Sequence, residues 1–327
     1  MHKKSGNLYV KVYHGYGHAG NLVVFGHVLS TEPPVATQYP KGVLYNMARL
    51  LRLFFVNPVP GARVRLHWEN EYYDATTEAD GFFKFEWEDK NSTPAGWHTV
   101  QIDCIDAGGQ KLASGKGKIF VPHITQYAFI SDIDDTVLIS YSATIFRRLR
   151  ALFTGNPHTR LAFPDVVQYY NLLAKAQTED NVPNPFYYVS SSEWNLYDDL
   201  VAFFSYNHLP RGVFLLNSIK RWYEIAKTGK TKHEGKLLRI VRIMEAFPNQ
   251  KFVLLGDNSQ HDPSIYKAVV EKYPANVHGI YIRNIRKSKE EATRNILQVL
   301  EEKGVHTCLF TNSSEAIAHS KNIRLLL

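Results

Sequence analysis

From about residue 123 onward, six short runs of apolar, β-branched and aromatic residues alternate with amphipathic segments. The runs are Tyr127–Ser131, Phe186–Ser190, Val213–Asn217, Phe252–Gly256, Gly279–Arg283 and Thr307–Phe310. Strands alternating with helices predict a parallel sheet covered on both faces, an α/β architecture. In one intervening segment Leu237, Ile240, Val241 and Met244 form an apolar stripe at helical spacing. Arg239, Arg242 and Glu245 lie opposite, and Phe247-Pro248 ends the helix. Ala292–Lys303 reads as another helix, stopped by Gly304.

Two of the strand ends are acidic. Tyr127–Ser131 runs into Asp132-Ile133-Asp134-Asp135-Thr136. Side chains at i and i+2 point the same way while a chain stays extended, so Asp132 and Asp134 can converge on one metal and one phosphate. Phe252–Gly256 runs into Asp257-Asn258-Ser259-Gln260-His261-Asp262. Either Asp-rich loop alone is compatible with a solvated turn or a helix cap. Their order, each at the end of a buried strand, favours a ligand site, because open α/β sheets bind ligands at the carboxyl ends of their strands.

The first part of the chain, to about residue 122, is different. Leu8–His14, Leu22–Leu29, Arg63–Glu69, Phe82–Trp87, Trp97–Cys104 and Lys116–Val121 read as short strands. Asp80-Gly81 is a tight-turn signal, and one helical piece is expected at about Val43 to Phe54. A small all-β sandwich over 1–122, followed by a catalytic unit over 123–327, is the expected organisation. Glu69, Glu71 and Asp74 are candidate cation ligands there, with exposed strand-end charges the simpler reading.

A chain of 327 residues with 44% hydrophobic and 21% charged residues suits two globular units. Two cysteines, Cys104 and Cys308, exclude a disulfide framework and point to buried thiols in a reducing, cytoplasmic compartment. Residues 1–6 have no signal-peptide core, and no stretch approaches the roughly 18 apolar residues of a spanning helix. The net charge of +7 favours anionic partners: phosphates, nucleic acid or acidic lipid surfaces. No interleaved stacking motif supports nucleic acid.

The combination DxDxT after one strand and GDxxxxD after a later one resembles the haloacid dehalogenase superfamily. Tyr188–Tyr197 (YVSSSEWNLY) and Gly256–Tyr266 (GDNSQHDPSIY) are similar, more narrowly, to the actin-patch-associated phosphatidate phosphatase family. Tyr281–Asn284, Asn156–Arg160, Gly15–Gly17 and Gly26–Leu29 extend that similarity over most of the chain. The resemblance implies a Rossmann-like parallel sheet of the haloacid dehalogenase type and a Mg²⁺-dependent phosphatase working through an aspartyl-phosphate. It implies Asp132 as nucleophile and Asp134 as general acid, then base. It also implies Thr136 as a loop-steadying hydroxyl, Ser190 as phosphoryl contact, and Lys236 as the site lysine. Asp132, the backbone carbonyl of Asp134, and Asp257 would face Mg²⁺, and Asp262 would bind a metal water or orient Lys236. Lys230 and Lys232 rival Lys236, and Asp135 is read only as a cap of the following turn.

Departures exist. Asn217-Ser218 stands where relatives carry a basic-acidic pair, and His233-Glu234-Gly235-Lys236 replaces a His-Lys dipeptide. The insert Ile139–Thr159 is too short for a large cap, which predicts an open site suited to a bulky or surface-bound substrate. Within it, Ile145, Phe146, Leu149, Leu152 and Phe153 interleave with Arg147, Arg148 and Arg150. Such a helix would either attach peripherally to an acidic membrane or pack on the core. The expected substrate is phosphatidate or a related phospholipid. The alternatives are a soluble phosphomonoester or phosphoprotein, and a non-catalytic scaffold. A partner for the β region is not readable.

Overall fold

The structure, a computed structural model, describes residues 8–18, 20–32, 52–134, 136–137, 165–179, 181–219 and 232–327, the side chains of 232–234 excepted. The basic segment 145–153, Asn156–Arg160, Asp135, Lys230 and the side chain of Lys232 therefore lie outside the described residues. Of the helix expected over 43–54, residues 52–54 are described and helical.

The described residues of 9–121 form eight strands: β1 (Tyr9–Val12), β2 (Gly15–His18), β3 (Asn21–Leu29), β4 (Arg63–Trp68), β5 (Glu71–Thr76), β6 (Phe82–Trp87), β7 (Gly96–Ile105) and β8 (Lys111–Val121). In β4 and β6 every second residue is buried, as the strand period requires. β3 is buried along nearly its whole length because both its edges are used. β1 and β2 share one edge and β6 takes the other. Strands β5-β4-β7-β8 pair antiparallel in that order.

These strands form one continuous sheet. β2 pairs in parallel with β8 through Gly15–Ile119 and Tyr16–Phe120, joining the two layers at an edge. A shared core lies between them, with Leu22, Val24 and Phe83 from one layer and Leu66, Ile102 and Ile119 from the other. β8 can pass so close to β1 because Gly117 has no side chain; a Cβ there would lie 2.3 Å from Val12 Cγ1.

Among the described residues the remaining strands and α-helices alternate: β9 (Tyr127–Ser131), α1 (Val166–Ala174), β10 (Phe186–Glu193), α2 (Tyr197–Tyr206), β11 (Val213–Asn217), α3 (Lys232–Ala246), β12 (Lys251–Asp257), α4 (Asp262–Lys272), β13 (Val277–Arg283), α5 (Glu290–Glu301), β14 (His306–Phe310) and α6 (Ser313–Asn322). The six strands are parallel in the order β11-β10-β9-β12-β13-β14. The chain is therefore a mixed α/β protein, with a parallel sheet beside a mainly antiparallel one. β9 is buried at every residue, which is why it reads as an unbroken apolar run. The strand order reverses between β9 and β12, the switch point at which open α/β sheets form ligand crevices. Register pairs Ser131 with Leu255, so the chain leaves β9 at Asp132 beside the carboxyl end of β12.

The two sheets pack directly. Tyr13 stacks on Trp194 with ring centroids 4.1 Å apart, and Tyr16 meets Tyr187 edge-on. Lys11 reaches Asp198 at 2.6 Å. Among the described residues no helix is long and apolar enough to cross a membrane.

Candidate active site

Asp132 and Asp257 emerge from neighbouring strands, and the Asp132 N–H still donates to Leu255 O at 2.8 Å. Asp262 opens α4 with Pro263 behind it, a residue suited to a helix's first turn. Its carboxylate folds back under β12, accepting from the Asp257 N–H at 3.2 Å. That return needs Gly256: a Cβ there would lie 2.6 Å from Asp262 Oδ2. The Gly of GDxxxxD is thus explained by the approach of its own second Asp.

Oxygens of Asp132, Asp257 and Asp262 all lie within 4.8 Å of one another, and all three residues are buried. Lys236, near the start of α3, bridges two of them: its Nζ is 2.7 Å from Asp132 Oδ1 and also pairs with Asp262. Lys236 is the one candidate lysine whose side chain is described. Burial opposes its charge, but Asp132 and Asp262 outweigh this and hold its pKa above the usual lysine value. Burial drives Asp132 well above the ordinary carboxylate range, against the pull of Lys236. Asp257 is pushed up to about 7 by burial and then by repulsion from Asp262, with Ser259 working the other way.

Asp134 faces elsewhere. Its Oδ2 accepts from Ser190 Oγ at 3.0 Å and from Ser192 Oγ at 3.1 Å, and it is not among the three clustered carboxylates. Ser190 Oγ also accepts the Ser192 N–H at 2.9 Å. Thr136 donates to Asp257 Oδ2 at 3.3 Å, tying the first acidic loop to the second. Lys289 pins the far loop, donating at 2.8 Å to the carbonyls of Ser259 and Gln260. All seven sequence candidates are buried at one end of the parallel sheet. Glu69, Glu71 and Asp74 are instead engaged singly, by Asn91, by Lys90 and Tyr73, and by Arg65.

Sequence reasoning missed Arg239. Placed on the polar face of α3, it turns inward one turn after Lys236 and donates to Ser190 O at 3.2 Å. Its spacing of three from Lys236 was the available signal.

Asp132 Oδ2 is buried and meets no hydrogen-bond partner. An orphan carboxylate oxygen beside two further carboxylates offers only hard oxygen donors, the set that suits a cation of the Mg²⁺ type. The residues present fit such an ion.

The family profile for the catalytic domain of phosphatidate phosphatase APP1 matches residues 127–284, from the first residue of β9 to just past β13. Residues 127–284 are therefore similar to this family's catalytic domain. Over 175 residues the chain is 27% identical to phosphatidate phosphatase APP1 of Saccharomyces cerevisiae, covering 53% of this chain and 28% of that protein. It is 25% identical over 160 residues to an uncharacterized protein of Schizosaccharomyces pombe, covering 48% and 25%. The chain thus spans about a quarter of the length of these relatives. Among solved structures, a carbohydrate acetylesterase from Xanthomonas citri aligns over 89% of this chain and 72% of its own, at 10% identity and a TM-score of 0.28. A likeness of that size carries no argument.

Proposed function

We propose that the site belongs to a Mg²⁺-dependent phosphohydrolase of the haloacid dehalogenase type that removes the phosphate of phosphatidate or a related phospholipid. The observation that carries this reading is Asp132: a buried carboxylate with one oxygen on Lys236 and the other without a partner. Such a group is oriented by its first oxygen and available for attack through its second.

Asp132 Oδ2 forms a bond to phosphorus as the phosphorus–alcohol oxygen bond breaks. Asp134 gives the departing oxygen its proton. Water then attacks the same phosphorus, Asp134 takes the water's proton, and the bond to Asp132 breaks to release phosphate. The Ser190 and Ser192 hydroxyls hold Asp134 in place through both steps. Lys236 opposes the neutralising effect of burial on Asp132 and fixes its other oxygen. Asp132, Asp257 and Asp262 would hold Mg²⁺, which supplies positive charge to the phosphoryl oxygens when bound. The lipid substrate rests on the similarity to phosphatidate phosphatase APP1. Peripheral membrane contact from the cytoplasmic side belongs to the same reading.

Phosphate release from phosphatidate in mixed micelles tests it, with Mg²⁺ or EDTA, for the native chain and Asp132→Asn. The expected result is Mg²⁺-dependent release that the substitution abolishes. Release from an aryl phosphate alone would move the substrate to a soluble phosphomonoester. Silence on both would overturn the enzymatic reading.

A further inference from the structure

A crevice of about 230 Å³ lies between the two sheets, at the carboxyl ends of β10 and β11. The eight-stranded sheet and its turns contribute Phe25, Glu78, Asp80 and Phe82. The parallel-sheet side contributes Trp194, Leu215–Ser218, Arg239 and Arg242. The crevice adjoins the reaction centre. Register pairs Leu215 with Val189 and Asn217 with Glu193, so its floor runs beside the Ser190–Ser192 segment that holds Asp134. Arg239 touches both, lining the crevice and donating to Ser190 O.

The charge on Arg239 is poorly compensated. Its Nε is enclosed with no hydrogen-bond partner, and no carboxylate among the described residues forms an ion pair with it. Burial, then Arg242, pulls its pKa down to about 10, partly offset by Asp132. A guanidinium offers five N–H donors, and the backbone carbonyl of Ser190 uses one group. Enclosed donors without partners are costly to a folded protein unless a ligand meets them. The opposite wall carries Glu78 and Asp80, which can accept from hydroxyls.

We infer that this crevice is the leaving-group subsite, in which Arg239 grips an acceptor oxygen on the alcohol portion of the phosphomonoester. The subsite rests on the phosphohydrolase reading for its place in the reaction, but not for its ability to bind. The general acid, Asp134, must face the departing oxygen, and Ser190 links it to the crevice, its hydroxyl bonding Asp134 and its carbonyl accepting from Arg239. Its size admits the polar part of a substrate next to the phosphate and not two long acyl chains. The recognised chemistry is a carbonyl, carboxylate or second phosphate oxygen a few bonds from the scissile phosphorus. The N-terminal sheet thereby supplies one wall of the substrate site.

Calorimetric titration of full-length Asp132→Asn, with and without Arg239→Met, tests this without turnover. The probes are monomeric dioctanoyl phosphatidate, 2-phosphoglycerate, glycerol 3-phosphate and inorganic phosphate, each with Mg²⁺. Arg239→Met should weaken dioctanoyl phosphatidate or 2-phosphoglycerate roughly ten- to a hundredfold, the range of a hydrogen bond to a charged group, and inorganic phosphate far less. Whichever of the first two loses more identifies an ester carbonyl or a carboxylate as the group held. Equal weakening of all four probes would place Arg239 on the scissile phosphate and overturn the subsite. No weakening of any would overturn it too. Arg239→Lys, which keeps the charge but loses the fork, should recover part of the binding and guards against misfolding. If the native chain hydrolyses none of the esters while the Arg239-dependent binding persists, the phosphohydrolase reading fails and the subsite stands.

Discussion

The two sheets bury polar groups in opposite ways. In the eight-stranded sheet, buried Asp89 accepts from the N–H groups of Thr93 and Asn91, and buried Asp103 meets Ser114, Gln101 and His67. Each carboxylate is met by its own donors within a few residues or across one strand pair. At the end of the parallel sheet, Asp132, Asp257 and Asp262 face one another, with Lys236 the one ammonium between them among the described residues. The first arrangement stabilises a fold. The second holds like charges together, a state that a bound cation relieves and that natural proteins keep where function demands it.

That contrast can be broken by substitution. Asp132→Asn should abolish phosphate release, a loss of about a thousandfold or more, while leaving urea stability equal or higher, because it removes one of the mutually repelling charges. A matched loss of stability would mean Asp132 is structural, like Asp89. Phe83→Ala, in the core of the eight-stranded sheet, should do the reverse. Phe83 is 1% exposed, so the truncation should cost about 3–5 kcal/mol in denaturant titration with kcat retained in the folded fraction. Lys236→Met should show both effects. It strands Asp132 and Asp262 without their cation, and removing one partner of a buried pair costs about 3–5 kcal/mol. Adding Asp262→Asn should return part of that stability and none of the activity.

The smallest effect is a pH dependence centred on His27. Burial pulls its pKa down to about 3, and its Nδ1 meets the Tyr13 hydroxyl at 3.0 Å. The unfolded chain, with an ordinary histidine near 6.5, binds a proton that the folded chain refuses. Stability from this group is complete above pH 6.5 and declines as pH falls toward 3, by about 1.4 kcal/mol per pH unit. Denaturant midpoints at pH 7 and pH 5 should separate less in His27→Gln. An unchanged separation would assign the effect to His14 or His278, each pulled down to about 4, in both cases first by burial.

The six parallel strands were legible to within two or three residues at most ends, because strands covered on both faces are written in unbroken apolar runs. β2 and β5 were not. β2 is Gly-Tyr-Gly-His, without a β-branched residue, and β5 exposes alternate residues of a charged sequence. The continuous sheet was hidden for a related reason: the parallel pairing of β2 with β8 joins segments about a hundred residues apart, and nothing local encodes it. At the site, residue types and order were readable, since each acidic motif follows a strand whose end is fixed by its apolar run. The division of labour was not, because the turn of Asp134 toward Ser190 and Ser192 depends on a partner from β10. Arg239 was hidden by the same limit: a helix's polar face looks solvated until its neighbour is known.

The stack of Tyr13 on Trp194 has a mechanical consequence. Tyr13, Tyr16 and Phe25 of the first sheet share one apolar core with Tyr187, Trp194 and Leu215 of the second. A hinge needs a lubricated seam, and this one is welded by aromatic rings. Proteolysis at His123–Gln126 would cut the chain without parting its halves, and heating would melt both in a single cooperative step.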